Sequence, residues 1–312
     1  MICPAAPKPR SILITGATGF VGQHLIHELG RSFPDAELAC PRFDVTQPEE
    51  VSAAFRAARP EACIHLAAIA AIPAARHRPA LAWQVNLHGT LAVADAILAH
   101  VPACRLIFAS SADAYGSAFN AGQPLNEKAP LAPINTYGAT KAAADLALGA
   151  LAREGLSVVR VRPFNHTGPG QSAEFVVSAF ARQVARIALG QQAPVLKVGA
   201  LDSERDFLDV RDVCRAYTAC LEHDLPTGTV LNVASGQQRR IGSVLADLLA
   251  AAGVTASVET DPGRLRPADI PVAAGDASRA RECLGWRPVV PWKKTLSDLL
   301  QDWSQRLREK AG

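Results

Sequence analysis

Apolar residues in this chain fall first into short unbroken runs and then into longer stretches with helical spacing. Ser11–Thr15 is a run of strand length, followed by a glycine-rich turn and a helical stretch from Phe20 to Leu29. The alternation repeats, with strands at Glu37–Cys40, Ala62–Leu66 and Arg105–Ser110 and helices at Pro48–Ala58, Leu81–His100 and Tyr137–Arg153. A strand at Ser157–Arg162 closes this half. Buried strands separated by helices imply a parallel sheet covered on both faces.

After Pro163 the pattern loosens. Asn165–Gly170 is rich in turn formers and precedes a helix (Glu174–Leu189), short strands around Val195–Val198 and Arg205–Val210, and a helix at Asp212–His223. Val230–Val233 has the apolar character to return to the sheet. The expected fold is α/β. A doubly wound parallel sheet fills residues 1–166, a smaller α/β substrate domain fills 167–312, and the ligand cleft lies between them.

Composition changes this picture little. Of 312 residues, 49% are hydrophobic and 20% charged, as in an ordinary globular protein, and a net charge of +3 does not call for nucleic acid. The seven cysteines are scattered without CxxC or Cys/His spacing, so they are expected to be reduced thiols of a cytoplasmic protein that binds no metal. Leu81–His100 is the longest apolar stretch, but it carries Gln84, Asn86, His88 and Asp95, which argues against a membrane span. Met1–Arg10 lacks the apolar stretch of a signal peptide.

The chemistry is concentrated in three places. Thr15-Gly16-Ala17-Thr18-Gly19-Phe20-Val21-Gly22 is a GxxGxxG turn between strand and helix. Its glycines permit a tight turn and close approach of a pyrophosphate, which the helix N-terminus receives on free N–H groups. Tyr137 and Lys141, four apart, share one helical face. A phenol is a poor acid–base group until a neighbouring ammonium stabilises its phenolate. Ser111 follows the strand Arg105–Ser110, and its hydroxyl is suited to polarising a carbonyl oxygen. Ser110 is the alternative.

These three motifs, in this order, resemble the extended short-chain dehydrogenase/reductase family, which is Rossmann-folded and binds a nicotinamide dinucleotide. The resemblance implies that Ser111, Tyr137 and Lys141 are catalytic. It implies that Gly16, Thr18, Gly19, Phe20, Val21, Gly22, Leu66, Ala67, Ala68 and Pro163 line the cofactor, with Asp44 and Val45 at the adenine edge. Asn86 resembles the family's helix asparagine, with a structural role expected. At the end of the second strand the chain has Cys40-Pro41-Arg42 where NAD-selective folds carry a carboxylate. Arg42 is suited to a 2′-phosphate, which favours NADP(H) over NAD(H).

The string Pro163-Phe164-Asn165-His166-Thr167-Gly168-Pro169-Gly170-Gln171 resembles the matching segment of reductases that convert GDP-4-keto-6-deoxy-D-mannose to GDP-D-rhamnose. Arg205-Asp206-Phe207-Leu208-Asp209-Val210 and Leu265-Arg266-Pro267-Ala268-Asp269 continue the likeness. It implies that Arg205 and Arg266 clamp the substrate pyrophosphate, that Arg182 and Lys197 lie near phosphate or guanine, and that Asn165, Val176, Ser111 and Asp113 meet the sugar. Related 4,6-dehydratases hold a glutamate at the place of Asp113, and the shorter side chain favours simple reduction. The alternatives are a GDP-mannose 4,6-dehydratase or nucleotide-sugar epimerase, and a non-catalytic NADP sensor. In the family, two helices pair with their copies in a second subunit. Leu91, Ala94, Ile97, Leu98, Ala143, Leu146, Leu148 and Leu151 are expected to serve such a homodimer.

Overall fold

The computed structural model describes residues 2–264 and 270–309. Strands β1 (Ser11–Thr15), β2 (Glu37–Ala39), β3 (Ala62–His65), β4 (Arg105–Ala109), β5 (Val158–Pro163) and β9 (Thr229–Val233) form one parallel sheet in the order β2-β1-β3-β4-β5-β9. The order reverses between β1 and β3, and such reversals open a crevice at the carboxyl ends of the strands.

Side-chain alternation along the strands builds two cores. Ile12 and Ile14 of β1 face Leu25 and Leu29 of α1 (Phe20–Ser32) and Val213 and Tyr217 of α8 (Val210–Glu222). Leu13 points the other way, into a cluster with Val51 and Phe55 of α2 (Pro48–Ala58), Val93 and Ile97 of α5 (Gly89–His100), and Leu148 of α6 (Thr136–Leu151). Between β3 and α5 stand two short helices, α3 (Ile72–His77) and α4 (Pro79–Trp83). The helix expected over Leu81–His100 is therefore α4 and α5 joined through one wider, π-type turn at Gln84–His88.

The second lobe springs from the carboxyl edge of the sheet. Strand β6 (Asn165–Thr167) leaves β5 and pairs with β8 (Glu204–Asp209), which is flanked by β10 (Gln238–Arg240) and β12 (Val272–Ala273). Strands β7 (Val195–Val198) and β11 (Ser257–Thr260) pair separately. Helices α7 (Val176–Ala188), α9 (Ile241–Ala252) and α11 (Trp292–Glu309) enclose a third core around Phe180, Val184, Leu245, Leu299 and Trp303. The chain does not change lobes once. Helix α8, strand β9 and helix α10 (Ser278–Leu284) all return to the core of the large sheet.

Two of the turn glycines fix the crevice. Gly16 has φ +69, and a Cβ there would lie 2.8 Å from Ala67 N, so the turns after β1 and β3 are in backbone contact. A Cβ at Gly22 would lie 2.5 Å from Gly16 O, so only glycine lets α1 start this close beneath the turn.

Candidate active site

The carboxyl ends of β1, β3 and β4 bring the expected site residues to one edge. Gly19 caps α1 and has no side chain to bond the helix's first N–H groups, which leaves those of the first turn for a ligand. Across the crevice, Leu66 and Ala67 abut Gly16. These groups fit the pyrophosphate of a dinucleotide. Val45 is buried against Gly89, whereas Asp44 is exposed and its carboxylate accepts from Thr46 N and Oγ1. Arg42 is exposed beyond the end of β2.

Beyond β4, Ser111 caps the short turn Ala112–Ala114, accepting from Asp113 N at 3.1 Å and donating to Asp113 Oδ2 at 3.4 Å. Helix α6 starts against this turn. Asn135 caps the helix through Gly138 N, and a Cβ at Gly138 would lie 2.5 Å from Asp113 O. That glycine lets Tyr137 reach Ser111, and the sequence reading passed over it. The Tyr137 ring is buried with Ala75 and Ala82 of α3 and α4. Burial raises its pKa, the Asp113 carboxylate raises it further, and a hydrogen bond with Ser111 opposes both.

Lys141 is buried one turn after Tyr137. Its ammonium donates to Ala109 O at 2.7 Å and lies 5.0 Å from the Phe108 ring. Burial pulls its pKa down to about 8, against the stabilising charge of Asp145 one turn further along α6. A buried ammonium needs acceptors, and the carbonyl of Ala109, at the end of β4, is one of them. Asp145 is itself fully buried, accepting from Ser110 Oγ (2.7 Å), Arg160 (3.0 Å) and two nitrogens of Arg162 (2.9 and 2.8 Å). Burial alone would raise the Asp145 pKa, but Arg162, Ser110 and Arg160 hold it below the usual carboxylate range. The Ser110 hydroxyl is thus committed to Asp145, whereas that of Ser111 faces Asp113 and Tyr137.

A second buried chain of polar groups ties the cofactor turn to the catalytic helix. Thr15 Oγ1 bonds His65 Nδ1 (2.7 Å) and His65 Nε2 bonds Thr90 Oγ1 (3.0 Å). Thr90 donates its only proton to Asn86 O, so Nε2 of His65 carries hydrogen and Nδ1 accepts from Thr15. Thr15 Oγ1 accepts in turn from Ala67 N. Asn86, set in the π-type turn, exchanges bonds with the backbone of Ile69 and donates to Thr140 Oγ1, which donates to Tyr137 O. Burial, aided by the Lys141 charge, pulls the pKa of His65 down to about 3, so the ring is neutral. The signal for Thr15, Thr90 and Thr140 was a polar side chain inside an apolar run, which alone does not name a partner.

The expected substrate residues are less closely gathered. Asn165 lies exposed on β6, in register with Phe207 of β8. Arg205, on the same strand, donates to the carbonyls of Glu204 (2.8 Å) and Pro271 (3.4 Å). Val176 opens α7 with 38% of its surface exposed. Arg182 is exposed on α7, with its guanidinium 5.8 Å from the ring centroid of Trp303 of α11. Lys197 is exposed on β7. Arg266 lies outside the described residues. Among the described residues no cluster of His, Cys, Asp and Glu has metal-site geometry, and no helix is long and apolar enough to cross a membrane.

The family profile described as GDP-mannose 4,6 dehydratase matches residues 32–299. The chain belongs to this family. Within the GDP-mannose 4,6 dehydratase family it is 39% identical to the GDP-6-deoxy-D-mannose reductase of Pseudomonas aeruginosa, over 96% of this chain and 98% of that one. The structure of RMD from Pseudomonas aeruginosa complexed with NADPH superposes with a TM-score of 0.89 at 36% identity, covering 95% of this chain and 99% of that one. The UDP-glucose 4-epimerase of Thermus thermophilus complexed with NAD gives 0.83 at 27% identity, covering 94% and 98%. The family is enzymatic, and the fold is the Rossmann-type one expected.

Proposed function

We propose that this enzyme reduces the C4 keto group of GDP-4-keto-6-deoxy-D-mannose to give GDP-6-deoxy-D-mannose (GDP-D-rhamnose), with NADPH as reductant. The likeness to a GDP-6-deoxy-D-mannose reductase over nearly the whole chain carries this reading, and the surroundings of Tyr137 are compatible with it. The Tyr137 phenol is buried in an apolar pocket beside the Asp113 carboxylate, and both hold the proton on it. Reduction of a ketone needs a proton donor at the nascent alkoxide. Dehydration and epimerisation both begin with oxidation of an alcohol, which needs a phenolate as base. A protonated Tyr137 suits the first.

The nicotinamide ring, when bound, supplies hydride to C4. Tyr137 donates its phenolic proton to the C4 oxygen while Ser111 holds that oxygen by a hydrogen bond. The positive charge of Lys141 would favour the phenolate left behind. Gly16, Thr18, Gly19, Phe20, Val21 and Gly22 would receive the cofactor pyrophosphate, Arg42 its 2′-phosphate, and Asn165, Val176 and Arg205 the substrate. A homodimer through α5 and α6 completes the reading.

The test is product analysis. GDP-4-keto-6-deoxy-D-mannose should be converted by NADPH to GDP-D-rhamnose, identified by NMR, with NADH at least 10-fold less efficient in kcat/KM. GDP-mannose alone should remain intact. Its consumption would make the enzyme a dehydratase instead.

A further inference from the structure

The seven thiols are not equivalent. Cys63, Cys104, Cys214 and Cys220 are buried within the cores, and burial pushes Cys104 and Cys220 up to about 12. Cys40 is exposed. Cys3 and Cys283 are half-buried and lie together, at opposite ends of the sequence. The N-terminal arm lies across the ends of α8 and α10. Cys3 N donates to Cys283 O, Asp224 N to Pro4 O and Ala6 N to Glu222 O, each at 2.8 Å, and Ala5 bridges His223. Ile2 packs over Gly285, the residue that ends α10.

The bond between Cys3 and Cys283 restricts their separation. With a 2.8 Å N···O contact, standard covalent geometry allows their Cα atoms to be at most about 6.7 Å apart, within the range of about 4.4–6.8 Å that disulfides span. Both side chains are half-buried, and the Cys3 thiol is near enough to Cys283 to oppose its ionisation. Burial and then the neighbouring Cys3 push the Cys283 pKa up, and the charge of Arg279, one turn earlier on α10, opposes them only in part.

We propose that Cys3 and Cys283 form a redox modification site, closed to a disulfide by exchange with a low-molecular-weight disulfide and fastening the N-terminal arm to α10. In the first step the thiolate of one cysteine attacks the small disulfide, forming a mixed disulfide and releasing one thiol. In the second, the other cysteine attacks the protein sulfur of that mixed disulfide and expels the second thiol. The protein loses two protons and two electrons, and the oxidant is reduced to two thiols. The closed loop spans nearly the whole chain, the case in which a cross-link restricts the unfolded state most. The guanidinium of Arg279 favours an oxidant carrying carboxylates.

The experiment treats the full-length protein with oxidised glutathione, alkylates remaining thiols, and maps linked peptides by mass spectrometry. Wild type should yield a Cys3–Cys283 link and a Tm higher by about 5 °C, reversed by dithiothreitol. Cys3→Ser should yield a glutathione adduct on Cys283, no link and no rise in Tm. The proposal is overturned if Cys3 and Cys283 of the treated wild type remain alkylatable or carry only separate glutathione adducts. It is equally overturned if treated wild type melts with Cys3→Ser.

Discussion

Ser110 and Ser111 are adjacent and both almost fully buried, 3% and 6% exposed, yet their hydroxyls face different partners. The Ser110 proton is held by Asp145, which also binds two guanidiniums, so its removal would disturb the buried charge cluster and leave the reacting carbonyl untouched. Ser111 sits where the carbonyl oxygen would be held, beside Tyr137. Ser111→Ala should therefore lower kcat about 100-fold, the usual effect of removing one donor to a developing oxyanion, with little change in Tm. Ser110→Ala should retain most of kcat and lose about 1–2 kcal/mol of stability, as for a buried hydrogen bond to a charged group. Steady-state kinetics and thermal melts of both variants decide, and the reverse pattern would move the catalytic role to Ser110. The order of the glycine turn, Ser111 and Tyr137–Lys141 was legible in the sequence because each chemistry sits in a local string. The commitment of Ser110 was not, because Asp145 and Arg162 come from α6 and β5.

At the scale of elements, the large sheet and its helices were readable because each strand is a compact apolar run. β9 returned to the sheet as Val230–Val233 suggested. The π-type turn at Gln84–His88 was not readable, since widening one turn barely alters apolar spacing and the groups that reward it, Ile69 and Thr140, lie elsewhere. The contact of Arg182 with Trp303 was hidden for the same reason, since Trp303 comes from a helix over a hundred residues later. The chain from Thr15 to Tyr137 has a testable electrostatic consequence. His65 is neutral in the folded protein with a pKa of about 3, against an ordinary value of 6.5. The unfolded chain therefore binds the extra proton first as pH falls, so this contribution is intact above 6.5 and is lost on acidification towards 3. Relative to His65→Asn, wild type should lose about 2 kcal/mol between pH 7 and pH 5 in urea unfolding. Parallel stability profiles for the two proteins would show that His65 is not held neutral by the fold.

At the scale of the whole molecule, the proposed homodimer needs an apolar face that this subunit leaves open, and the structure redraws the face expected from sequence. Ala94, Ile97 and Leu148 are fully buried in their own subunit, between α5, α6 and the sheet, so they cannot serve a partner. An all-round apolar helix hides which stripe is inward, because leucine and alanine on both faces give the same spacing. Leu146 does point outward, with 61% of its surface exposed, and Ala143 and Ala150 lie one turn away on the same face of α6. Trp83 of α4 is also exposed, at 36%. Covering Leu146 would contribute roughly 1–2 kcal/mol per copy, and a two-fold axis counts it twice. A cation in its place would meet its own copy's apolar surroundings and cost more than the leucine contributed. Wild type should sediment as a dimer at micromolar concentration. Leu146→Arg should sediment as a monomer with its circular dichroism spectrum unchanged, because the side chain is outside the subunit core. Leu148→Arg should instead fail to fold, since that side chain is wholly enclosed. A monomeric wild type, or a Leu146→Arg variant that still sediments as a dimer, would remove α6 from any subunit interface.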